Sequence, residues 1–133
     1  MKCVVLDTNI LVSAIVYGGK PQYILNLVVE KKIQAVTSYI LLAELLEALS
    51  KKFPLSTGDL DLVEIQIKQN FIITTPRSTL KVVRDDTDNK VLEAAIEGNC
   101  TYIITGDRDL LDLVSYKNIK ILTASEFLQI VKE

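Results

Sequence analysis

Cys3-Val4-Val5-Leu6-Asp7-Thr8-Asn9 and Tyr102-Ile103-Ile104-Thr105-Gly106-Asp107 are the two stretches whose reading decides the fold. Each opens with a short, mostly β-branched apolar run, the pattern of a strand buried on both faces. Asp7 follows the first run directly, and Asp107 follows the second after Thr105-Gly106. In open α/β sheets, functional groups collect just beyond the carboxyl ends of strands, where strand order reverses.

Outward from these runs, strand and helix patterns alternate. Asn9–Tyr17 reads as a helix stopped by Gly18-Gly19, and Pro21 opens a second helix through Lys31. Gln34–Thr37 is strand-like, Ser38 can cap a helix over Tyr39–Lys52, and Pro54 closes it. A further helix runs from Ser56 or Thr57 to Gln69 and leads into a strand at Phe71–Thr74. Asp88–Glu97 carries Val91, Leu92, Ala95 and Ile96 on one helical stripe and stops at Gly98. After the strand at Tyr102–Thr105 come a short helix around Leu110–Val114, a strand at Ile119–Leu122, and a last helix whose capping box pairs Thr123 with Glu126. The alternation predicts a three-layer α/β/α sandwich around a central, mostly parallel sheet of five strands. The irregular, locally basic stretch Arg77–Thr87 reads as a mobile loop.

A length of 133 residues fits one domain over positions 1–133. Aromatic residues make up 6% of a chain that is 49% hydrophobic, so the apolar content is aliphatic, as covered parallel strands require. Apolar runs are broken by charge before they reach bilayer length, and with no charged region followed by a long apolar core at Met1–Asp7 no signal peptide is expected. Cys3 and Cys100 lack metal-ligand spacing and read as reduced core residues of a cytoplasmic protein. Histidine is absent, which removes Ser-His-Asp, Cys-His and two-histidine zinc chemistry. With a net charge of −2, a nucleic-acid site would need a local basic patch or bound cations.

The carboxylates are the remaining candidates. Asp7 and Asp107 stand at equivalent strand ends, where each could instead simply cap a helix. Asp88 shares the register of the apolar stripe that faces the sheet, whereas Asp85 and Asp86 precede it. Glu44 lies mid-helix with Ile40 and Leu41 one turn before it and Ala48 one turn after, a costly place for an unpaired carboxylate. Glu47, by contrast, has Lys51 at i+4 and needs only a surface pair. Four converging carboxylates require neutralisation, and hard divalent cations such as Mg²⁺ or Mn²⁺ supply it.

Taken together, Val4–Asn9, Ser38–Glu44, Asp88–Ala95 and Tyr102–Leu111 resemble, in order and over nearly the whole chain, the motifs of PIN domains. The nearest likeness is to toxin components of prokaryotic toxin–antitoxin pairs. The resemblance implies Asp7, Glu44, Asp88 and Asp107 as a catalytic, metal-holding set, with Thr8, Asn9, Thr105 and Asp109 in support. It implies a Mg²⁺- or Mn²⁺-dependent endoribonuclease acting on single-stranded or structured RNA, a cognate antitoxin protein as partner, and a homodimer or higher homo-oligomer. Where relatives often carry a proline before the third acid, this chain reads Asp85-Asp86-Thr87-Asp88, which leaves Asp86 as the alternative to Asp88 and points to a looser loop. From the sequence itself, Lys81 and Arg84 are the candidate substrate-backbone contacts.

Competing strand-then-aspartate families fit less well. A haloacid-dehalogenase-type phosphatase needs a second aspartate where Asn9 stands, and a receiver domain needs one after Phe71–Thr74. Asp7-Thr8-Asn9 also lacks the glycine-rich turn of a dinucleotide site. The rival that remains is a catalytically weak PIN-like module that binds RNA or protein.

Overall fold

The structure, a computed structural model, describes residues 1–132. The elements run β1 (Cys3–Leu6), α1 (Thr8–Val16), α2 (Gly19–Val29), β2 (Gln34–Ser38), α3 (Tyr39–Lys52), α4 (Thr57–Asn70), β3 (Ile72–Thr74), α5 (Asp86–Glu97), β4 (Tyr102–Ile104), α6 (Arg108–Leu111), β5 (Ser115–Tyr116), β6 (Ile119–Leu122) and α7 (Ala124–Lys132). The strands form one sheet in the order β3-β2-β1-β4-β6-β5, parallel throughout except for the antiparallel β5–β6 pair. The chain winds from β1 outward to β3, then returns across β1 to place β4 on its other side. Strand order therefore reverses between β1 and β4, and the crevice there opens at their carboxyl ends.

Alternation along the strands feeds two cores. Val4, Leu6, Ala35 and Ile104 pack with Ile24, Leu45, Leu49 and Phe127 on one face. Val5, Val36 and Ile103 pack with Val91, Leu92, Ala94 and Ala95 of α5 on the other. The resulting three-layer arrangement is the one the alternation predicted. The expected count of five strands is one short. Ser115–Tyr116 forms a sixth, paired only with β6 across a tight turn at Lys117, whose φ is 54°. Two residues without apolar alternation carry no periodic signal, so this strand was not legible.

Element boundaries moved where local chemistry overrode pattern. The second helix begins at Gly19, two residues before Pro21, because proline is tolerated anywhere in the unbonded first turn. The stretch read as a mobile loop, Arg77–Thr87, lacks regular structure only up to Asp85, because α5 starts at Asp86, and α5 holds it down. Asn89 Oδ1 accepts from the backbone N–H groups of Val82 and Val83 at 2.9 and 3.0 Å, and Asn89 Nδ2 donates to Val83 O. Glu93 accepts from Leu80 N and Glu97 from Arg77 N, both at 2.9 Å. Asn89, Glu93 and Glu97 stand four residues apart, so one face of α5 receives backbone donors that would otherwise lack partners.

The two cysteines are unbridged thiols in mutual contact at the amino-terminal ends of β1 and β4, opposite the crevice. Nearby, Gly98 ends α5 with φ −85°, so it is not needed for a left-handed cap. Its role is space: a Cβ there would lie 2.7 Å from Val36 Cγ1, and Val36 is fully buried. Gly98→Ala should therefore cost about 1–3 kcal/mol, the usual range for overpacking a filled core. Denaturant melts that show no loss would contradict the close α5–β2 packing.

Candidate metal centre

Asp7 closes β1 and is 3% exposed. It stands at the cap position of α1 but makes no cap hydrogen bond. Its partner is instead Thr105, whose Oγ1 donates to Asp7 Oδ2 at 2.6 Å. The same hydroxyl accepts from the backbone N–H of Asp107 at 2.9 Å. Thr105 has one proton to give, so these two bonds fix its orientation and tie the end of β1 to the turn after β4. Burial raises the Asp7 pKa; Thr105 and the amides of Asn9 and Thr8, which lie nearby without capping geometry, oppose the rise, and the Asp107 charge adds to it.

Asp107 does cap α6, accepting from Asp109 N at 2.8 Å, so the capping reading and the cluster reading are both true of it. Asp88, Asp107 and Asp109 each bring a carboxylate oxygen within 4.8 Å of the other two. Asp109, expected only in support, is thus a full member of the acidic group. Helix register delivers Asp88: Asp85 caps α5 by accepting from Thr87 N, and Asp88 sits one turn in, 3% exposed. Asp86 is exposed, so the structure places Asp88 and not Asp86 in the crevice.

Glu44 joins from α3. It is half-buried, and its pKa is raised by burial first and by the Asp7 charge second, with the hydroxyls of Thr8 and Thr87 opposing. The expected apolar surround is only partly present: Leu41 is buried, but Ile40 is 56% exposed. Glu44 consequently sits at the rim of the acidic group. Glu47 faces solvent and pairs with Lys51 at 2.6 Å, as its spacing predicted. Asn9 is exposed. Arg84 reaches Asp109 at 3.8 Å from an exposed position, while Lys81 is exposed and makes no ion pair among the described residues.

Two buried atoms have no hydrogen-bond partner among the described residues: Asp88 Oδ2 and Thr8 Oγ1. A buried carboxylate oxygen left without a donor is expensive unless a proton or a cation meets it. Burial and the charges of Asp107, Asp7 and Asp85 push Asp88 up to about 7. All-oxygen donors, crowded like charges and an orphaned buried oxygen fit a hard divalent cation, and no histidine or thiolate is present to favour a softer one.

The PIN domain family model matches residues 3–109. The chain belongs to the PIN-domain family. It is 34% identical, over 95% of its own length and 89% of the relative's, to a Methanocaldococcus jannaschii protein described as "Uncharacterized protein MJ1680". Its fold is similar to that of a chain in the crystal structure of VapBC2 from Rickettsia felis bound to a DNA fragment from their promoter. That match has a TM-score of 0.60 at 20% identity and covers 90% of this chain and 96% of that one. A chain of FitAcB from Neisseria gonorrhoeae matches with a TM-score of 0.55 at 14% identity, over 92% of this chain and 98% of that one. PIN domains are generally nucleases and typically use divalent metal ions, and an acidic group is present in this chain.

A carboxyl with a raised folded-state pKa binds its proton in the native state at pH values where the unfolded chain has lost it. The stability Asp88 contributes is therefore complete below its ordinary value of 3.8 and is lost as pH rises through about 7. In chelator, the wild-type melting temperature should fall across that window, and Asp88→Asn should flatten the fall and melt higher at pH 7.5. A lower melting temperature for Asp88→Asn at pH 7.5 would show that the carboxylates do not repel one another there.

Proposed function

We propose that this PIN domain is a Mg²⁺- or Mn²⁺-dependent endoribonuclease, with Asp7, Glu44, Asp88 and Asp107 as its metal-holding and catalytic carboxylates. The observation that carries the reading is the orphaned, buried Asp88 Oδ2 within the acidic group at the β1–β4 crevice. Asp88, Asp107 and Asp109 are the residues that would hold the ion most closely, with Asp7 beside them. When bound, such an ion stabilises the charge that grows on a phosphodiester during in-line displacement and favours deprotonation of the attacking water. Glu44, at the half-exposed rim, is the carboxylate placed to take that proton at its side-chain oxygens. Thr105 holds Asp7 in one rotamer, and the Thr8 hydroxyl lies beside Glu44.

RNA is favoured as substrate by the motif resemblance to toxin PIN domains, and the same resemblance supports an antitoxin protein as partner. The folds it matches come from complexes titled VapBC2 and FitAcB, one of them bound to promoter DNA. Arg84, reaching the acidic group from an exposed position, and the exposed Lys81 are the proposed contacts to the RNA backbone.

Purified protein should cleave single-stranded RNA with Mn²⁺ or Mg²⁺ and not in excess chelator. Glu44→Gln should reduce kcat by about a hundredfold or more, the scale of losing a general base, while Glu47→Gln stays at the wild-type rate. Cleavage that persists in chelator would refute the metal chemistry, and equal losses from the two glutamine variants would refute the role of Glu44.

A further inference from the structure

Along the same carboxyl edge of the sheet, a second recess opens where β2 and β3 end. Its volume is about 220 Å³. Tyr39 and Ile40, 59% and 56% exposed, line it from the start of α3; Thr75 and Thr79 line it from the segment after β3; Lys90 and Glu93 line it from α5. None of these groups is used by the chemistry proposed at the crevice.

The recess combines unlike surfaces. Tyr39 supplies an aromatic ring and Ile40 an aliphatic edge, both costly to leave in water. Within, Glu93 is 4% exposed, and its Oε2 accepts from Leu80 N at 2.9 Å. The Lys90 ammonium lies 3.4 Å from Glu93 Oε1, a long contact that leaves it hydrogen-bond donors to spare. Thr75 and Thr79 add hydroxyls that can donate or accept. A flat ring with a polar edge suits such a lining: the ring stacks on tyrosine, and the edge meets an ammonium and hydroxyls. Nucleobases have that shape and chemistry.

Position points the same way. Ile40 is one helical turn before Glu44 on the same face of α3, a rise of about 6 Å. The recess lies at the ends of β2 and β3, beside the β1–β4 crevice on the same edge.

We propose that this recess seats a base of the RNA strand next to the scissile phosphodiester, with the ring stacked on Tyr39 and its polar edge met by Lys90. The inference rests on the ribonuclease reading, which it refines by assigning a base-binding residue outside the acidic group. Tyr39 is a binding residue here and takes no part in the bond-breaking step.

The test is steady-state cleavage of a single-stranded RNA oligonucleotide in Mn²⁺ by wild type, Tyr39→Ala and Tyr39→Phe. Loss of one stacked base should raise KM about tenfold in Tyr39→Ala, and Tyr39→Phe, which keeps the ring, should stay within about twofold of wild type. kcat should change little in either. Because Tyr39 is exposed, melting temperatures should match wild type, which separates lost stacking from lost fold. Wild-type cleavage with an unchanged KM in Tyr39→Ala overturns the inference and leaves the nuclease reading intact. An equal rise in KM for Tyr39→Phe and Tyr39→Ala also overturns it, because stacking would not be the cause. Absence of cleavage by wild type defeats the nuclease reading, and the inference with it.

Discussion

Like charge held close is the constraint on which the rest of this structure depends. Asp7, Asp88 and the Asp107–Asp109 pair come from three separate parts of the chain, and burial raises the cost of ionising Asp7 and Asp88, the two that are most enclosed. Repulsion would spread them apart in any loosely built fold. Here the sheet prevents it. β1 and β4 are hydrogen-bonded neighbours, Asp7 N donates to Ile104 O, and the Thr105 hydroxyl bridges Asp7 to the Asp107 backbone. A few short bonds of fixed direction thus hold an arrangement that electrostatics alone would reject. Strain of this kind is expected where a site is preorganised for a cation.

The helices contribute by division of labour among neighbouring residues. Asp85 caps α5, which leaves Asp88 free one turn later, inside the crevice. Ser38 caps α3 by accepting from Leu41 N, which fixes the register that carries Glu44 to the rim. Further along α5, Asn89, Glu93 and Glu97 bind the backbone of the segment between β3 and α5. That attachment turns a stretch without regular structure into a wall, and the recess beside Lys90 exists because of it.

Much of this was legible in the sequence, and the reasons are physical. Aliphatic runs at Cys3–Leu6 and Tyr102–Ile104 could be little else than buried strands, and the α5 stripe put Asp88 toward the sheet whatever its exact helix start. Capping chemistry at Ser38 and at Thr123 with Glu126 fell where short-range rules place it. What escaped was non-local. The membership of Asp109 depends on Asp88 of α5 meeting the start of α6 across the crevice, a long-range contact. The attachment of the 77–83 segment depends on backbone groups finding partners on α5, which a reading of polarity takes for mobility. For Glu44 the apolar surround read from the sequence is only half present, since Leu41 is buried and Ile40 faces outward, while its nearness to Asp7 depends on how α3 packs beside β1.

The central question is whether these carboxylates form one divalent-ion site. Calorimetric titration of Mn²⁺ into metal-free protein at neutral pH tests that directly. Saturable binding is predicted, competed by Mg²⁺, lost or weakened at least about tenfold in Asp88→Asn and Asp107→Asn, in keeping with removal of one ligand, and unchanged in Glu47→Gln. Absence of saturable binding, or affinities in the two asparagine variants equal to wild type, would contradict it.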